Sequence, residues 1–200
     1  MKRYFGFLLT LCVASMFFVS CEETEEKNEY ANWRVRNQQV IDSIAEVAEV
    51  NADGKWRIYK AYNLQADDPN DLTTVKDVND YVYCYVDVAG SGTVSPIYTD
   101  SIRTNYRVWY INDVVLDESF KGPLDPEVIV PFESAMSGMI VGWTTALQYM
   151  HVGDVWTVYI PYKLAYGTTV SNGVPAYSSL KYLINLVGIY PVGTVIPEWQ

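Results

Sequence analysis

Met139-Ile140-Val141-Gly142-Trp143-Thr144-Thr145-Ala146-Leu147-Gln148-Tyr149-Met150-His151-Val152-Gly153 decides the fold of this chain. From Trp143 to Met150 the apolar residues Trp143, Ala146, Leu147 and Met150 recur at three- and four-residue steps, which puts them on one side of a short helix. The sequence on either side alternates with period two. Tyr81, Tyr83 and Tyr85 point one way while Val82, Cys84, Val86 and Val88 point the other, until Gly90-Ser91-Gly92 ends the strand. Further strands are expected at Arg103 to Ile111, Val155 to Ile160 and Leu180 to Ile189, with Leu180, Tyr182, Ile184 and Leu186 on one face. Strands surrounding one short helix predict an α+β domain in which an antiparallel sheet covers that helix.

Upstream, Trp33, Val40, Ile41, Ile44, Val47 and Ala48 predict a helix of about five turns between Tyr30 and Asn51. Asn51-Ala52-Asp53-Gly54 stops it, with Gly54 suited to the left-handed conformation past a helix end. Its apolar stripe must pack on the domain that follows or on a second copy of itself, the latter giving a homodimer. A strand-like run, Trp56 to Tyr62, and a polar loop, Gln65 to Asp71, lead into the domain.

The N-terminus begins Met-Lys-Arg, continues apolar from Tyr4 to Val19 and reaches Ser20-Cys21, the build of an export signal too short to span a membrane. Phe18-Val19-Ser20-Cys21 resembles the lipobox of bacterial lipoproteins, which implies acylation of Cys21 and anchoring on a membrane. The resemblance places the protein on the outer membrane, at its periplasmic face or at the cell surface. Residues 1–20 are then the signal, residues 21–29 an acidic tether carrying Glu22-Glu23-Thr24-Glu25-Glu26, and residues 30–79 a helical extension with its connecting strand and loop.

The formal net charge is −10, more negative still once Lys2 and Arg3 leave with the signal, which argues against nucleic acid as a partner. The chain has a single His and three Cys, of which Cys12 lies in the signal and Cys21 takes the lipid. Cys84 remains as a small buried hydrophobe. This inventory excludes His-based triads, thiol–His dyads, multi-His metal sites and an intramolecular disulfide, and no metal or cofactor is expected. There is no Gly-rich phosphate loop with its lysine. Asp117, Glu118 and Glu133 offer carboxylates, but their spacing shows no pattern for glycoside chemistry.

What is left is aromatic and aliphatic, with seventeen Tyr and six Trp, and suits binding or a reaction without proton transfer. Rotation about an X–Pro bond is such a reaction. Twisting the amide destroys its resonance, at a barrier of about 18–20 kcal/mol, so a dry site that favours the twisted form accelerates it without a nucleophile.

Three segments carry a family resemblance. The Met139 to Gly153 stretch looks like a Val-Ile-x-Gly-Trp-x-x-Ala-Leu-x-x-Met-x-x-Gly pattern. Ile160-Pro161-Tyr162-Lys163-Leu164-Ala165-Tyr166-Gly167 is similar to Ile-Pro-x-x-Leu-Ala-Tyr-Gly, and Val174-Pro175 through Leu180-Lys181-Tyr182 to Ile-Pro-Pro-x-x-x-Leu-x-Phe. In this order they resemble the FKBP-type peptidyl-prolyl isomerases, over residues 80–190, leaving residues 191–200 as a tail. The resemblance implies an FKBP-like sheet wrapped around the central helix, with proline-containing polypeptides outside the cytoplasm as substrates. It makes Trp143 the floor under the proline ring. Tyr106, Leu116 and Asp117 become one wall, with Asp117 near the Tyr106 hydroxyl. Phe132, Met139, Ile140, Val174 and Tyr182 complete the enclosure. Tyr166 offers a hydroxyl and Ile140 a backbone N–H to substrate carbonyls, so that Tyr106, Asp117 and Tyr166 are the candidate catalytic residues.

Departures from the family pattern bear on rate. Leu116 replaces an aromatic, Val108 stands where glycine is usual, Ala176 replaces the second proline, Asn112-Asp113-Val114 lacks the customary Asp-Gly turn, and the loop Thr168 to Gly173 has no histidine or proline. These leave open a non-catalytic peptide-binding or chaperone module on the same fold.

Overall fold

The computed structural model describes residues 28–64 and 77–199. The signal, Cys21, nearly all of the tether, and the loop from Gln65 to Asp71 lie outside the described residues. Residues 28–31 form a turn of their own, closed by the Ala31 N–H on the Asn28 carbonyl at 2.9 Å.

From Asn32 onward the order is α1 (Trp33–Val50), β1 (Trp56–Lys60), β2 (Tyr81–Val88), β3 (Ser101–Tyr110), β4 (Val115–Glu118), β5 (Phe132–Ala135), α2 (Val141–Leu147), β6 (Val155–Ile160) and β7 (Leu180–Tyr190). The strands form one antiparallel sheet in the order β1-β2-β6-β7-β3-β4, with β5 paired to the first half of β3. Only a sheet assembled from distant segments gives this order: β7, the last strand, lies between β6 and β3 and ties both halves together.

Alternation decides the two faces. Val82 and Cys84 of β2, Val108 and Tyr110 of β3, Trp156, Val158 and Ile160 of β6, and Leu180, Tyr182, Ile184 and Leu186 of β7 point into one core around Trp143, Ala146 and Leu147 of α2. Tyr83, between Val82 and Cys84, points the other way into a second cluster with Ile41, Ala45 and Ala48 of α1. It is buried, and its hydroxyl donates to the Val78 carbonyl at 2.9 Å. The middle of β2 is therefore covered on both faces, which is why Val82, Tyr83 and Cys84 are all buried. Cys84 is fully buried, and burial pushes its thiol well above the ordinary range.

The expected elements shift in four places. The first helix buries Trp33, Asn37, Ile41, Ala45 and Ala48, while Val47 is exposed, because the seam runs at steps of four residues and rotates Val47 outward. The stripe is spent on β1 and β2 of its own chain. Asn51, at φ 46°, takes the left-handed position that ends α1; Gly54, three residues on, closes the turn through its N–H on the Asn51 carbonyl. The central helix occupies Val141–Leu147 rather than Trp143 to Met150. Tyr149 and Met150 bond back to Ala146 and Leu147 at 3.0 Å, tightening the last turn into three-residue loops. Its start is set by Thr144, whose hydroxyl donates to the Met136 carbonyl at 3.0 Å and ties the helix to the preceding turn. β4 and β5, four residues each, show no period-two run long enough to be read.

Candidate functional site

The ten expected site residues come from seven separate stretches of chain; eight pack in or against the core around Trp143, and Phe132 and Asp117 join them through Tyr106. Tyr106 pairs with Ile184 and Val108 with Tyr182 across β3 and β7, which sets Tyr106 diagonal to Tyr182 on the inner face. Their rings stand 6.4 Å apart, and the Phe132 ring meets Tyr106 edge-on at 5.3 Å. Phe132 reaches that place because β5 pairs with β3 at Thr104. Trp143, Val174 and Tyr182 are buried in the main core, with Tyr106, Leu116, Met139, Ile140 and Tyr166 half-buried against it.

Leu116 and Asp117 depend on a bulge. Opposite β4, Val108 faces Asp117 while the next residue, Trp109, faces Val115, so Leu116 is the unpaired extra residue. A bulge bends the strand and re-aims its side chains. Leu116 thereby packs on the core and its neighbour Asp117 accepts a 2.6 Å hydrogen bond from the Tyr106 hydroxyl. The backbone of Tyr106 is held as firmly: its N–H donates to Ser119 Oγ and its carbonyl accepts from the Ser119 N–H, both at 2.9 Å.

Electrostatically the site is a protonated tyrosine cluster beside a carboxylate. Burial, then the hydrogen bond to Asp117, pushes the Tyr106 hydroxyl far above the ordinary tyrosine range. Burial does the same to Tyr182, with the nearby Tyr166, Tyr106 and Asp117 adding to it, and Tyr166 is raised by burial and by Asp117. All three hydroxyls stay neutral at physiological pH. The Tyr166 hydroxyl and the Ile140 N–H have no hydrogen-bond partner among the described residues, and the Trp143 indole N–H is buried without one.

The Trp143 ring is fully covered in this structure. Cavities of about 440, 350 and 200 Å³ lie against α1 and are lined by none of the ten residues. A ligand that touches the Trp143 ring therefore displaces one of the half-buried side chains around it.

The chain after Tyr166 is built from tight turns. Asn172 and Gly173, at φ 50° and 78°, close a turn in which Ser171 and Val174 bond to one another at 2.9 and 3.2 Å. Tyr177 holds a φ of 62°, unfavourable for a bulky residue by about 1–3 kcal/mol, and its N–H is fixed on the Gly167 carbonyl at 2.9 Å. Asp113 takes φ 62° where a glycine is customary, so the β3–β4 turn forms without one.

Two supports went unread in the sequence. Arg103, buried on the outer face of β3, donates from Nε to Glu133 at 3.1 Å and from its guanidinium to the Tyr190 hydroxyl at 3.2 Å and the Pro197 carbonyl. It pins β5 beside Phe132, and the C-terminal tail over the sheet. Arg107 donates to Glu118 at 2.6 Å and to the Gly122 carbonyl at 2.9 Å, fixing the chain just past Asp117. Two arginines inside a strand were the available signal, but their partners lie 11 to 94 residues away.

Comparison with known proteins finds relatives in sequence and in fold. Residues 92–187 match the family model described as FKBP-type peptidyl-prolyl cis-trans isomerase. The chain is 38% identical over 101 residues to the macrophage infectivity potentiator of Trypanosoma cruzi, covering 50% of this chain and 48% of that protein. It is 34% identical over 102 residues to the FKBP-type 22 kDa peptidyl-prolyl cis-trans isomerase of Escherichia coli strain K12, covering 50% and 46%. The chain thus spans about half the length of the curated relatives it matches. In fold it is similar to a peptidyl-prolyl cis-trans isomerase of Pseudomonas syringae pv. tomato, with a TM-score of 0.53 at 18% identity, over 77% of this chain and 93% of that one. The similarity to the FKBP-type peptidyl-prolyl cis-trans isomerases in sequence is thus carried by residues 92–187, on a fold shared with a solved isomerase.

Proposed function

We propose that the chain is a peptidyl-prolyl cis-trans isomerase that acts on X–Pro bonds of exported polypeptides by non-covalent stabilisation of the twisted amide. The observation that carries it is the Tyr106–Asp117 hydrogen bond set within the aromatic cluster over Trp143. The proline ring lies on Trp143 among Phe132, Met139, Val174 and Tyr182, with Leu116 in the wall. Away from water the planar amide, with its large resonance dipole, loses more solvation than the twisted form. The Ile140 N–H and the Tyr166 hydroxyl, both without hydrogen-bond partners among the described residues, then donate to the carbonyls that flank the twisting bond. Asp117 locks Tyr106 in place so that its ring forms a fixed wall.

The first test is isomerisation kinetics of the full chain on a set of X–Pro peptides. Acceleration lost in both Asp117→Ala and Trp143→Ala supports the enzyme and its pocket together. A well-folded chain that binds these peptides without accelerating them favours the second reading, a non-catalytic binding module, to which Leu116 in place of an aromatic lends support.

The same proposal places the domain over residues 80–190 and on the outer membrane through acylated Cys21, at the periplasmic face or the cell surface. Mass spectrometry of the membrane fraction tests it; a mature chain that starts elsewhere than Cys21 rejects the anchor. The use of the α1 seam on its own sheet supports an arm over a dimer, and light scattering separates the two.

A further inference from the structure

We infer that α1 is a working part of the isomerase site, with Trp33 and Asn37 as positioning residues that latch the chain from Val174 to Ser179 in the form the pocket needs. The inference rests on the isomerase reading and deepens it, because α1 lies outside the 92–187 family match.

The latch is made of buried polar contacts across very long sequence separations. The Trp33 indole N–H donates to Ser178 Oγ at 2.8 Å, and that hydroxyl donates onward to the Pro175 carbonyl at 2.7 Å. Asn37 Oδ1 accepts the Ser179 N–H at 2.7 Å, while its amide nitrogen donates to the Trp33 carbonyl at 2.8 Å. Asn37, Ser178 and Ser179 are each at most 1% exposed. A buried asparagine in the middle of an apolar helix seam is costly unless its hydrogen bonds are met, and here they are met by a loop 142 residues away.

That loop carries pocket residues. Val174, next to Pro175, is packed in the core with Trp143 and Tyr182. Ser179 Oγ accepts the Tyr162 N–H at 3.1 Å, and the Tyr162 carbonyl accepts the Gly167 N–H at 2.8 Å, one residue after Tyr166. Tyr177 holds its unfavourable left-handed backbone between these two anchors, with the Arg34 guanidinium 4.6 Å from its ring centre. A strained conformation persists only where its surroundings over-determine it, and α1 supplies that surrounding on one side. Trp33 and Asn37 therefore act through Val174 and Tyr166 and touch no substrate.

The test uses the full-length chain in detergent and four variants: Trp33→Phe, Asn37→Ala, Asn37→Asp and, as a control, Ala45→Gly, which weakens the same helix seam away from the loop. Amide exchange at Tyr177 and Ser179, the thermal midpoint, and kcat and KM on one X–Pro peptide are measured for each. Asn37→Ala is expected to speed Ser179 exchange about tenfold and to lower kcat/KM about fivefold, mainly through KM, with Trp33→Phe in the same direction. Asn37→Asp keeps an oxygen for the Ser179 N–H but loses the donor to the Trp33 carbonyl and buries a charge, so it is expected to lose stability and to recover kcat/KM in part at most. Ala45→Gly lowers the midpoint but leaves kcat/KM unchanged where the protein is folded.

The latch is overturned if Asn37→Ala alters kcat/KM no more than Ala45→Gly does, or if Ser179 exchange stays unchanged. If the unaltered chain accelerates no peptide, the isomerase reading fails separately. Ser179 exchange in Asn37→Ala then decides the latch: faster exchange upholds it and unchanged exchange rejects it.

Discussion

The hydroxyl of Tyr106 and the carboxylate of Asp117 meet at 2.6 Å beside a bulge that leaves Leu116 unpaired between Val115 and Asp117 on β4. Tyr106→Phe removes the bond and keeps the ring, so kcat/KM on an X–Pro peptide should fall about fivefold to tenfold. Asp117→Asn keeps an acceptor oxygen for Tyr106 and should fall less. A larger loss in Asp117→Asn than in Tyr106→Phe would assign the effect to the carboxylate charge rather than to the positioned ring.

Gly142 sits in α2 where an added Cβ would lie 2.3 Å from Ile160 Cγ2. Alanine is the better helix former, yet Gly142→Ala should destabilise the domain by about 1–3 kcal/mol through overpacking. Urea unfolding measures it, and a stabilised variant would mean that β6 yields freely beneath α2.

Asp154 is buried and accepts the Gly90 N–H at 2.6 Å and the His151 N–H at 2.7 Å. Through these bonds it clamps the chain after β2 to the turn that follows α2. At Gly90 that approach leaves no room for a side chain, since a Cβ would lie 2.4 Å from the Val152 carbonyl oxygen. Asp154→Ala orphans two N–H groups and should cost about 2–4 kcal/mol of stability, with Asp154→Asn costing less. Denaturant midpoints at neutral pH check the order.

Alkaline pH should unfold the protein through its tyrosines. Burial is the leading cause that holds the hydroxyls of Tyr83, Tyr106 and Tyr182 well above the ordinary value of 10.0, and raises Tyr59 to about 12. Above pH 10 the unfolded chain releases these protons while the folded one keeps them, so stability is full below the ordinary value and falls as pH rises towards and through 12. Phenolate absorbance and circular dichroism should change together; ionisation of these residues in a chain that remains folded would contradict the burial.

The readable part of the fold was the part governed by local period. β6 begins at Val155 and ends at Ile160, as alternation predicts, and β7 shows its four inward residues in order. The three family-like segments contain Trp143, Tyr166 and Tyr182 in short runs of fixed spacing, whereas the Tyr106–Asp117 bond joins two strands and lies in none of them. β4 and β5 were invisible, since four residues interrupted by a bulge or bounded by turns carry too little pattern.

The sequence by itself determined an exported-looking acidic chain, an α+β domain around one short helix, and the residue types that can form a dry aromatic site. Only the tertiary structure decided that Leu116 is the bulged residue and that Arg103 braces β5. It also decided that Trp143 is covered, and that Asn37 answers Ser179. The contacts of Arg103 and Asn37 join residues tens to more than a hundred positions apart, and no local spacing encodes which buried donor a distant acceptor will meet. That pairing is settled when the whole core closes and each buried polar group must find a partner.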